Sequence, residues 1–202
     1  GSAGHGTAWM EWRWIRAVAA DGVDCVRPVA FGESMRGRRE RFSAVVTEAV
    51  PGESLERWAE RRMSRCPRWM VVALAEFVRR FHERGYVHRD LYLAHIFFDA
   101  SAKRTAAFRL IDLQRVRKPV WRRRRWRVKD LAALAYSTPR SVATPSDRVR
   151  FLRRYLGVRR LGPEGKRLVG AIAAKRARIA RHDERRRRGQ AGSGGPDAEL
   201  DR

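Results

Sequence analysis

The hydrophobic pattern of the chain is clearest between Pro67 and Gly85. Apolar residues recur there at intervals of three and four, which places them on one face of a helix: Met70, Leu74, Phe77, Val78 and Phe81. Pro67 favours the start of a helix, and Gly85 favours its end. The sequence therefore predicts a long helix with one buried stripe, ending shortly before His88.

Shorter apolar segments on both sides of this helix predict strands. Residues 95–98 and 107–111 form two such segments joined by a polar turn, so we expect a hairpin. Upstream, residues 44–47 have the composition of a strand, and the Pro51-Gly52 pair predicts a turn before a helix that starts near Leu55. Two further amphipathic helices are predicted at 148–156 and 168–179.

Composition bounds the size and class of the protein. The chain has 202 residues, 44% of them hydrophobic, which suits one medium-sized domain with its own core. Its apolar runs are far shorter than a membrane span, and no signal peptide is recognisable, so we expect a cytoplasmic protein unless it docks peripherally. Cys25 and Cys66 are too few for a disulfide framework or a zinc site, and both thiols are expected to be reduced.

The distribution of charge changes this picture. The net charge is +24, and the segment from Arg115 to Lys129 is dense in basic residues interleaved with Trp121 and Trp126. Because Arg binds phosphate and carboxylate groups in a bidentate manner, an anionic substrate is one interpretation. Nucleic acid is a second, although no recognisable RNA- or DNA-binding motif accompanies the charge. A third is a GC-rich gene that encodes Arg wherever a solvated cation suffices.

His88, Arg89 and Asp90 form the segment with the clearest chemical meaning. Phosphoryl transfer needs one carboxylate to accept the proton of the attacking hydroxyl and another to hold the metal that bridges the ATP phosphates. In the pattern H-R-D-x-x-x-x-N, Asp90 takes the first role and His95 stands at the Asn position. Asp112 closes the second strand of the hairpin and takes the other role. Both acids should therefore face one cleft.

These segments resemble the lipopolysaccharide kinase family of the Kdo/WaaP type. The resemblance covers roughly residues 8–182 and rests on HRDLYLAHIF at 88–97, LIDLQRV at 110–116 and the basic stretch with its helix at 122–137. It implies an α+β protein-kinase-like fold with a mainly helical C-lobe. It also implies a kinase that uses ATP and Mg²⁺ to phosphorylate a heptose or Kdo hydroxyl of an anionic glycolipid, on the inner face of the inner membrane. Nucleic acid is then not the expected partner.

The resemblance also implies roles for the residues around the HRD segment. Asp90 would be the catalytic base, and His88 and Arg89 would support it. Asp112 would bind the metal. His95 would either be a second metal ligand or form a hydrogen bond that orients Asp90, since Mg²⁺ prefers oxygen ligands.

Other expected contacts lie farther along the chain. Backbone groups of Glu48 and Val50 would bind adenine, although an ordinary strand, turn and helix start would give the same pattern. Asp130 would either be an acid at the start of a helix or brace the backbone of the catalytic loop. Five arginines would bind the anionic groups of the substrate: Arg122, Arg123, Arg124, Arg125 and Arg127.

The N-terminal part departs from the family pattern. Neither a glycine-rich phosphate loop nor a strand Lys is found, and no lysine precedes Glu11, which stands where the helix Glu of the family is expected. Three explanations are a fragment, a truncated gene product and a kinase-like scaffold without ATP chemistry. Weak ATP binding and no phosphotransfer are expected of these residues alone. The expected regions are a partial N-lobe sheet with the hinge at 1–50, a C-lobe at 51–182 and a disordered tail at 183–202.

Overall fold

Helices and short strands alternate along the computed structural model, which describes residues 6–37, 39–62, 65–102 and 107–192. The N-terminal elements are α1 Thr7–Ala20, β1 Pro28–Arg36, β2 Arg39–Thr47, β3 Glu53–Ser54 and α2 Leu55–Arg62. They are followed by α3 Arg68–Glu83, a 3-10 turn Leu93–His95, β4 Ile96–Phe98, β5 Phe108–Leu110, α4 Arg123–Ser137, α5 Pro145–Leu156 and α6 Pro163–Gly192.

The long central helix predicted from the apolar stripe is confirmed as α3. Pro67 immediately precedes it, and Gly85 follows it with a φ of 88° that suits glycine. Most of the predicted stripe is buried, and Phe77 and Phe81 are among the largest fully buried side chains. This helix packs against α5 and carries the chain into the segment that contains His88.

The strands form two small antiparallel sheets. In one, β1 and β2 make a hairpin in which Gly32 faces Ala44, and α1 packs against it. In the other, β4 lies between β3 and β5, and Ile96 faces Leu110. The predicted hairpin of β4 and β5 is thus confirmed, although residues 103–106 of its turn lie outside the described part of the chain.

Residues 24–26 join the N-terminal elements to the second sheet. The amide of Val26 donates to the carbonyl of Leu110 at 2.8 Å, and the amide of Leu110 donates to the carbonyl of Asp24 at 3.1 Å. This pairing places α1 and its hairpin beside β5. Residues 48–52 between β2 and β3 contain no helix or strand.

Two predicted boundaries are wrong. The helix that was expected to start at Asp130 already begins at Arg123, so part of the basic run is helical. The tail predicted to be disordered from residue 183 is helical as far as Gly192, and residues 193–202 lie outside the described part. Arg and Ala favour helix even where no apolar stripe is present, and the hydroxyl of Tyr136 anchors α6 by donating to Asp183 at 2.6 Å.

The hydrophobic core lies between α3, the second sheet and α4. Both cysteines are free, Cys25 buried and Cys66 partly buried, and burial raises the pKa of each thiol to about 12. The thiols are therefore protonated at neutral pH. Among the described helices, none combines the length and the apolar composition needed to span a bilayer.

Candidate active site

The catalytic loop starts at His88, directly after an isolated antiparallel β-bridge. Val87 and Arg117 exchange hydrogen bonds, at 2.9 and 3.0 Å. Arg89 and Asp112, on the two sides of this bridge, have positive φ angles of 74° and 54°. Non-glycine residues rarely adopt this conformation, and they do so mainly where surrounding contacts impose it.

Asp130 supplies those contacts for the catalytic loop. Its carboxylate is fully buried and accepts the backbone amides of His88 and Arg89, each at 2.7 Å. The same carboxylate lies 3.2 Å from Nε2 of His82, whose Nδ1 lies 2.8 Å from the hydroxyl of Tyr155. Asp130 therefore braces the loop, and the alternative of an acid at a helix start is wrong because Arg123 begins the helix.

His88 connects the catalytic loop to the end of β5. Its ring is fully buried, and Nε2 donates to the carbonyl of Ile111 at 3.0 Å, one residue before Asp112. Burial lowers the pKa of His88, which favours a neutral imidazole. The histidine thus ties the positions of the two predicted functional acids together through backbone contacts.

His95 lies between Asp90 and Asp112. Its Nδ1 donates to the backbone carbonyl of Asp90 at 2.7 Å, while Nε2 lies 3.5 Å from Oδ2 of Asp112. The second distance is too long for a good hydrogen bond, so both atoms remain available to a cation. The structure therefore brings the predicted base, the predicted metal ligand and His95 to one cleft.

Two cations hold the carboxylate of Asp90. A guanidinium nitrogen of Arg115 lies 2.6 Å from Oδ2, and Nζ of Lys129 lies 3.5 Å from Oδ1. Sequence reasoning missed both partners. A usable signal existed, because Trp126, Lys129 and Asp130 share one face of a helix at spacings of three and four residues.

The surroundings of Asp112 have the opposite charge. Glu11, half-buried on α1, has its pKa raised by burial and by the nearby carboxylate of Asp112, although the backbone amide of Leu113 donates to it. In the parts of the chain described above, we find no cation paired with Glu11. Glu11 therefore lies close enough to Asp112 for the two carboxylates to repel each other.

The backbone of the predicted adenine site is partly free. The amide of Glu48 donates to the carbonyl of Arg27 at 2.9 Å, so only its carbonyl is available at that residue. Within the described residues, no hydrogen bond forms at the backbone of Val50. Val50 packs against the hydrophobic core, which fixes its position.

The predicted substrate arginines separate into two groups. Arg122, Arg123, Arg124 and Arg125 are exposed at the start of α4. Arg127 does not belong with them, because its guanidinium donates to the carbonyl of His82 at 2.8 Å and thereby satisfies the C-terminal end of α3. The cations that contact Asp90 are Arg115 and Lys129 instead.

The donors at the cleft suit a metal that is only partly bound by protein. Among the described residues, no three His, Cys, Asp or Glu side chains are grouped to hold an ion. Asp112 supplies a partly exposed carboxylate, and Mg²⁺ commonly binds through one or two carboxylates with phosphate and water completing its shell. The site fits that mode of binding.

Comparison with known proteins shows the family of this chain. The family model described as lipopolysaccharide kinase (Kdo/WaaP) family matches residues 2–155, which include the loop, both acids and the cations around Asp90. The chain belongs to the lipopolysaccharide kinase (Kdo/WaaP) family. The fold is accordingly protein-kinase-like, with the mainly helical C-lobe that the sequence predicts.

Individual members of the Kdo/WaaP family are similar over most of the chain. The lipopolysaccharide core heptose(I) kinase WaaP of Pseudomonas aeruginosa is 38% identical over 157 residues, 73% of this chain and 59% of that protein. The protein of the same name from Escherichia coli K12 is 30% identical over 187 residues, 87% of this chain and 71% of that protein. The chain thus spans from about three fifths to seven tenths of the length of these relatives.

A solved structure of a Kdo/WaaP kinase has the same fold. It is described as WaaP in complex with acyl carrier protein, and it aligns with a TM-score of 0.65 at 32% identity. The alignment covers 88% of this chain and 76% of that chain. The similarity therefore includes both the N-terminal elements and the helical part.

Proposed function

We propose that this chain contains the catalytic region of an ATP-dependent kinase that phosphorylates a heptose hydroxyl in the core of lipopolysaccharide. One observation carries the proposal: Asp90 and Asp112 share a cleft in which His95 contacts the backbone of one and faces the carboxylate of the other. The similarity to proteins named as heptose(I) kinases supports the choice of acceptor.

Asp90 is the proposed catalytic base. Its carboxylate would accept the proton of the sugar hydroxyl as that oxygen attacks the terminal phosphate of ATP. The loop geometry that aims Asp90 rests on Asp130, which binds the preceding backbone amides, and on His95, which binds the carbonyl of Asp90 itself. These contacts fix the base from both sides of its backbone.

Asp112 is the proposed ligand of Mg²⁺, and His95 is its nearest candidate partner. The bound ion would neutralise charge on the ATP phosphates. Glu11 would contribute further negative charge on this side of the cleft. Adenine would contact the carbonyl of Glu48 and the free backbone groups of Val50, at the link between the first sheet and the C-lobe.

The exposed start of α4 is the proposed docking surface for the anionic glycolipid. Arg122, Arg123, Arg124 and Arg125 follow Val120 and Trp121, which are 76% and 83% exposed. Arginines suit lipid phosphates, and an exposed Trp suits the headgroup level of a membrane. We propose peripheral docking on the inner face of the inner membrane through this surface.

Phosphotransfer to lipopolysaccharide core that lacks heptose phosphate tests the function. In the full protein, Asp90→Asn should lower turnover by about 10²–10⁴-fold and leave Mg²⁺–ATP binding nearly unchanged, because the base acts after the nucleotide binds. Glu60→Gln, at an exposed position of α2, is the control for acid loss. Equal turnover of Asp90→Asn and the unaltered protein would refute the kinase mechanism. Absent turnover in the unaltered protein, with ATP binding retained, would favour a kinase-like scaffold.

A second proposed partner is an acyl carrier protein, because the similar solved structure is a complex of WaaP with such a protein. An apolar cavity of about 290 Å³ lies among α2, α3, α4, α5 and α6, lined by residues such as Met70, Leu134 and Ile172. Its lining also includes Arg148, whose pKa is lowered by burial and by neighbouring arginines. The apolar part of this lining suits the acyl chain of such a carrier.

Filling the cavity tests this partner. Ala135→Phe, which places a ring in the cavity, should weaken the binding of acylated carrier protein by roughly tenfold or more in isothermal titration. Ala177→Phe on the exposed side of α6 is the matched control. Binding that is unchanged in Ala135→Phe, or equal for acylated and free carrier protein, would exclude the cavity as the acyl site.

A further inference from the structure

Four cationic side chains converge around the catalytic loop. Arg115 and Lys129 both contact the carboxylate of Asp90, at 2.6 and 3.5 Å. The guanidinium of Arg89 stacks over the ring of Trp126 at 5.3 Å, and Arg117 is paired with the loop through its backbone. Among these, Arg115 and Arg117 are exposed at the surface of the cleft.

These cations repel one another. Burial lowers the pKa of Arg89, and the charges of Arg117 and Arg115 lower it further. Burial also lowers the pKa of Lys129, whose attraction to Asp90 is opposed by Arg115 and Arg89. Such mutual effects place the four groups in one electrostatic cluster.

The carboxylates of the cluster do not balance it. Asp130 is the other acid that acts on Arg89, but its oxygens are occupied by two backbone amides and His82. Nε of Arg89 is buried and has no hydrogen-bond partner among the described residues. Asp90 is therefore shared by more positive charge than it can neutralise, and one buried donor of Arg89 lacks a partner among the described residues.

No residue of the intervening segment can be phosphorylated to supply the missing charge. Residues 113–135 contain no Ser, Thr or Tyr. The segment is also short, so α4 begins close to the loop and presents Trp126 and Lys129 directly to it. An anion that balances the cluster must then come from a bound molecule.

We propose that Arg89, Arg115, Arg117 and Lys129 form an anion subsite beside Asp90, which binds a phosphate or carboxylate group of the acceptor. The assignment to the acceptor rests on the proposed function, because the base faces the attacking hydroxyl. The nucleotide phosphates belong on the other side, where Asp112 and Glu11 provide negative charge for a metal. The subsite would select acceptors that carry an anionic group close to the phosphorylated hydroxyl.

Inorganic phosphate is the probe for the subsite, and Trp126 reports its binding. In 5-fluorotryptophan-labelled protein, the ¹⁹F resonance that disappears in Trp126→Phe should shift saturably with phosphate at constant ionic strength. Arg115→Gln and Lys129→Gln should each weaken this binding by roughly tenfold, since each removes one charge-assisted hydrogen bond. Asp90→Asn should strengthen it, because the competing carboxylate is removed.

Arg159→Gln is the matched control, since it removes one exposed positive charge outside the cluster. It should change the affinity for phosphate by less than about twofold, as expected for a screened distant charge. An unshifted Trp126 resonance, weaker binding in Asp90→Asn, or equal losses in Arg159→Gln and Lys129→Gln would overturn the subsite. None of these measurements requires phosphotransfer, so they stand apart from the test of the kinase function.

Competition experiments with the nucleotide distinguish whether the subsite binds a phosphate of ATP or an anionic group of the acceptor. Saturating phosphate should leave the affinity for Mg²⁺–ATP unchanged, and Lys129→Gln should also leave it unchanged. If phosphate competes with Mg²⁺–ATP, the cations serve the nucleotide, and the assignment to the acceptor is wrong. A heptose phosphate or Kdo should bind with the same dependence on Arg115 and Lys129 as inorganic phosphate.

Discussion

Asp90 and Asp112 lie at one cleft, yet their surroundings have opposite charge. Asp90 is held between Arg115 and Lys129, and Arg89 is near enough for its charge to act on Lys129. Asp112 has Glu11 as its charged neighbour, and their repulsion contributes to the raised pKa of Glu11. The two carboxylates are chemically identical, so the difference lies in which elements surround them.

The difference supports the proposed roles of the two acids. The cations around Asp90 would attract an anionic acceptor, whereas two neighbouring carboxylates suit a divalent ion. Three changes test this division, beginning with the one expected to have the largest effect.

Asp130→Asn should disturb the Asp90 side most. The two carboxylate oxygens of Asp130 each accept one backbone N–H, from His88 and from Arg89. An Asn side chain has only one oxygen, so its NH₂ group would face one of these buried donors. We expect a loss of about 3 kcal/mol in the free energy of unfolding, measured by urea denaturation. The matched control is Asp183→Asn, which affects a hydrogen bond from Tyr136 and should cost about 1 kcal/mol. Equal losses in the free energy of unfolding would show that the contacts of Asp130 with the catalytic loop stabilise the fold no more than an ordinary hydrogen bond.

Asp112→Asn should remove the metal from the other side. Because the carboxylate is the main oxygen donor there, the affinity for Mg²⁺–ATP should fall by at least about 10–100-fold in isothermal titration. Asp90→Asn is the comparison and should bind Mg²⁺–ATP nearly as well as the unaltered protein. A similar loss of Mg²⁺–ATP affinity in both variants would mean that Asp112 is not the metal ligand in preference to Asp90.

Glu11→Gln should have the smallest effect, and its sign depends on pH. Since the folded state raises the pKa of Glu11 above the ordinary value of 4.5, folding favours the protonated acid. The contribution of Glu11 to stability therefore becomes unfavourable as pH rises from 4.5 through the raised pKa of the folded state. Without metal, Glu11→Gln should raise the melting temperature at pH 7 by on the order of 1–3 °C and leave it nearly unchanged at pH 4.

The exposed substitution Glu60→Gln controls for the general loss of an acid. It should shift the melting temperature far less than Glu11→Gln at pH 7. A lower melting temperature for Glu11→Gln at pH 7 would show that the carboxylate of Glu11 has a favourable partner. Saturating Mg²⁺ and ATP should reduce the difference, because bound metal would attract both carboxylates.

The fold was predictable where local pattern and packing agree. The apolar stripe of α3 follows from apolar residues spaced three and four positions apart. The strands β4 and β5 follow from the alternation of side chains along a strand. The extent of α4 and α6 was not predictable in this way, because their basic ends have helix propensity but no apolar period. Disorder was inferred from charge at 183–192, where the chain is helical.

The candidate site was predictable only in part. The HRD pattern identified Asp90, and the hairpin placed Asp112 near it, because two paired strands must return the chain to its start. The partners of these acids come from α4 and α1, which are distant in sequence. Arg127 was assigned to the substrate by its position in a basic run, although it satisfies the end of α3.

Sequence alone determined which candidate groups the chain offers, since the order His88-Arg89-Asp90, the later Asp112 and the excess of Arg are properties of the chain. Tertiary structure decided which arginines and lysines approach Asp90 and which acid lies beside Asp112. The reason is physical: pattern fixes secondary structure over a few residues, whereas electrostatic environment depends on side chains brought within a few ångströms by packing. Lys129 and Asp90 are 39 positions apart in the chain and meet only because α4 packs against the catalytic loop.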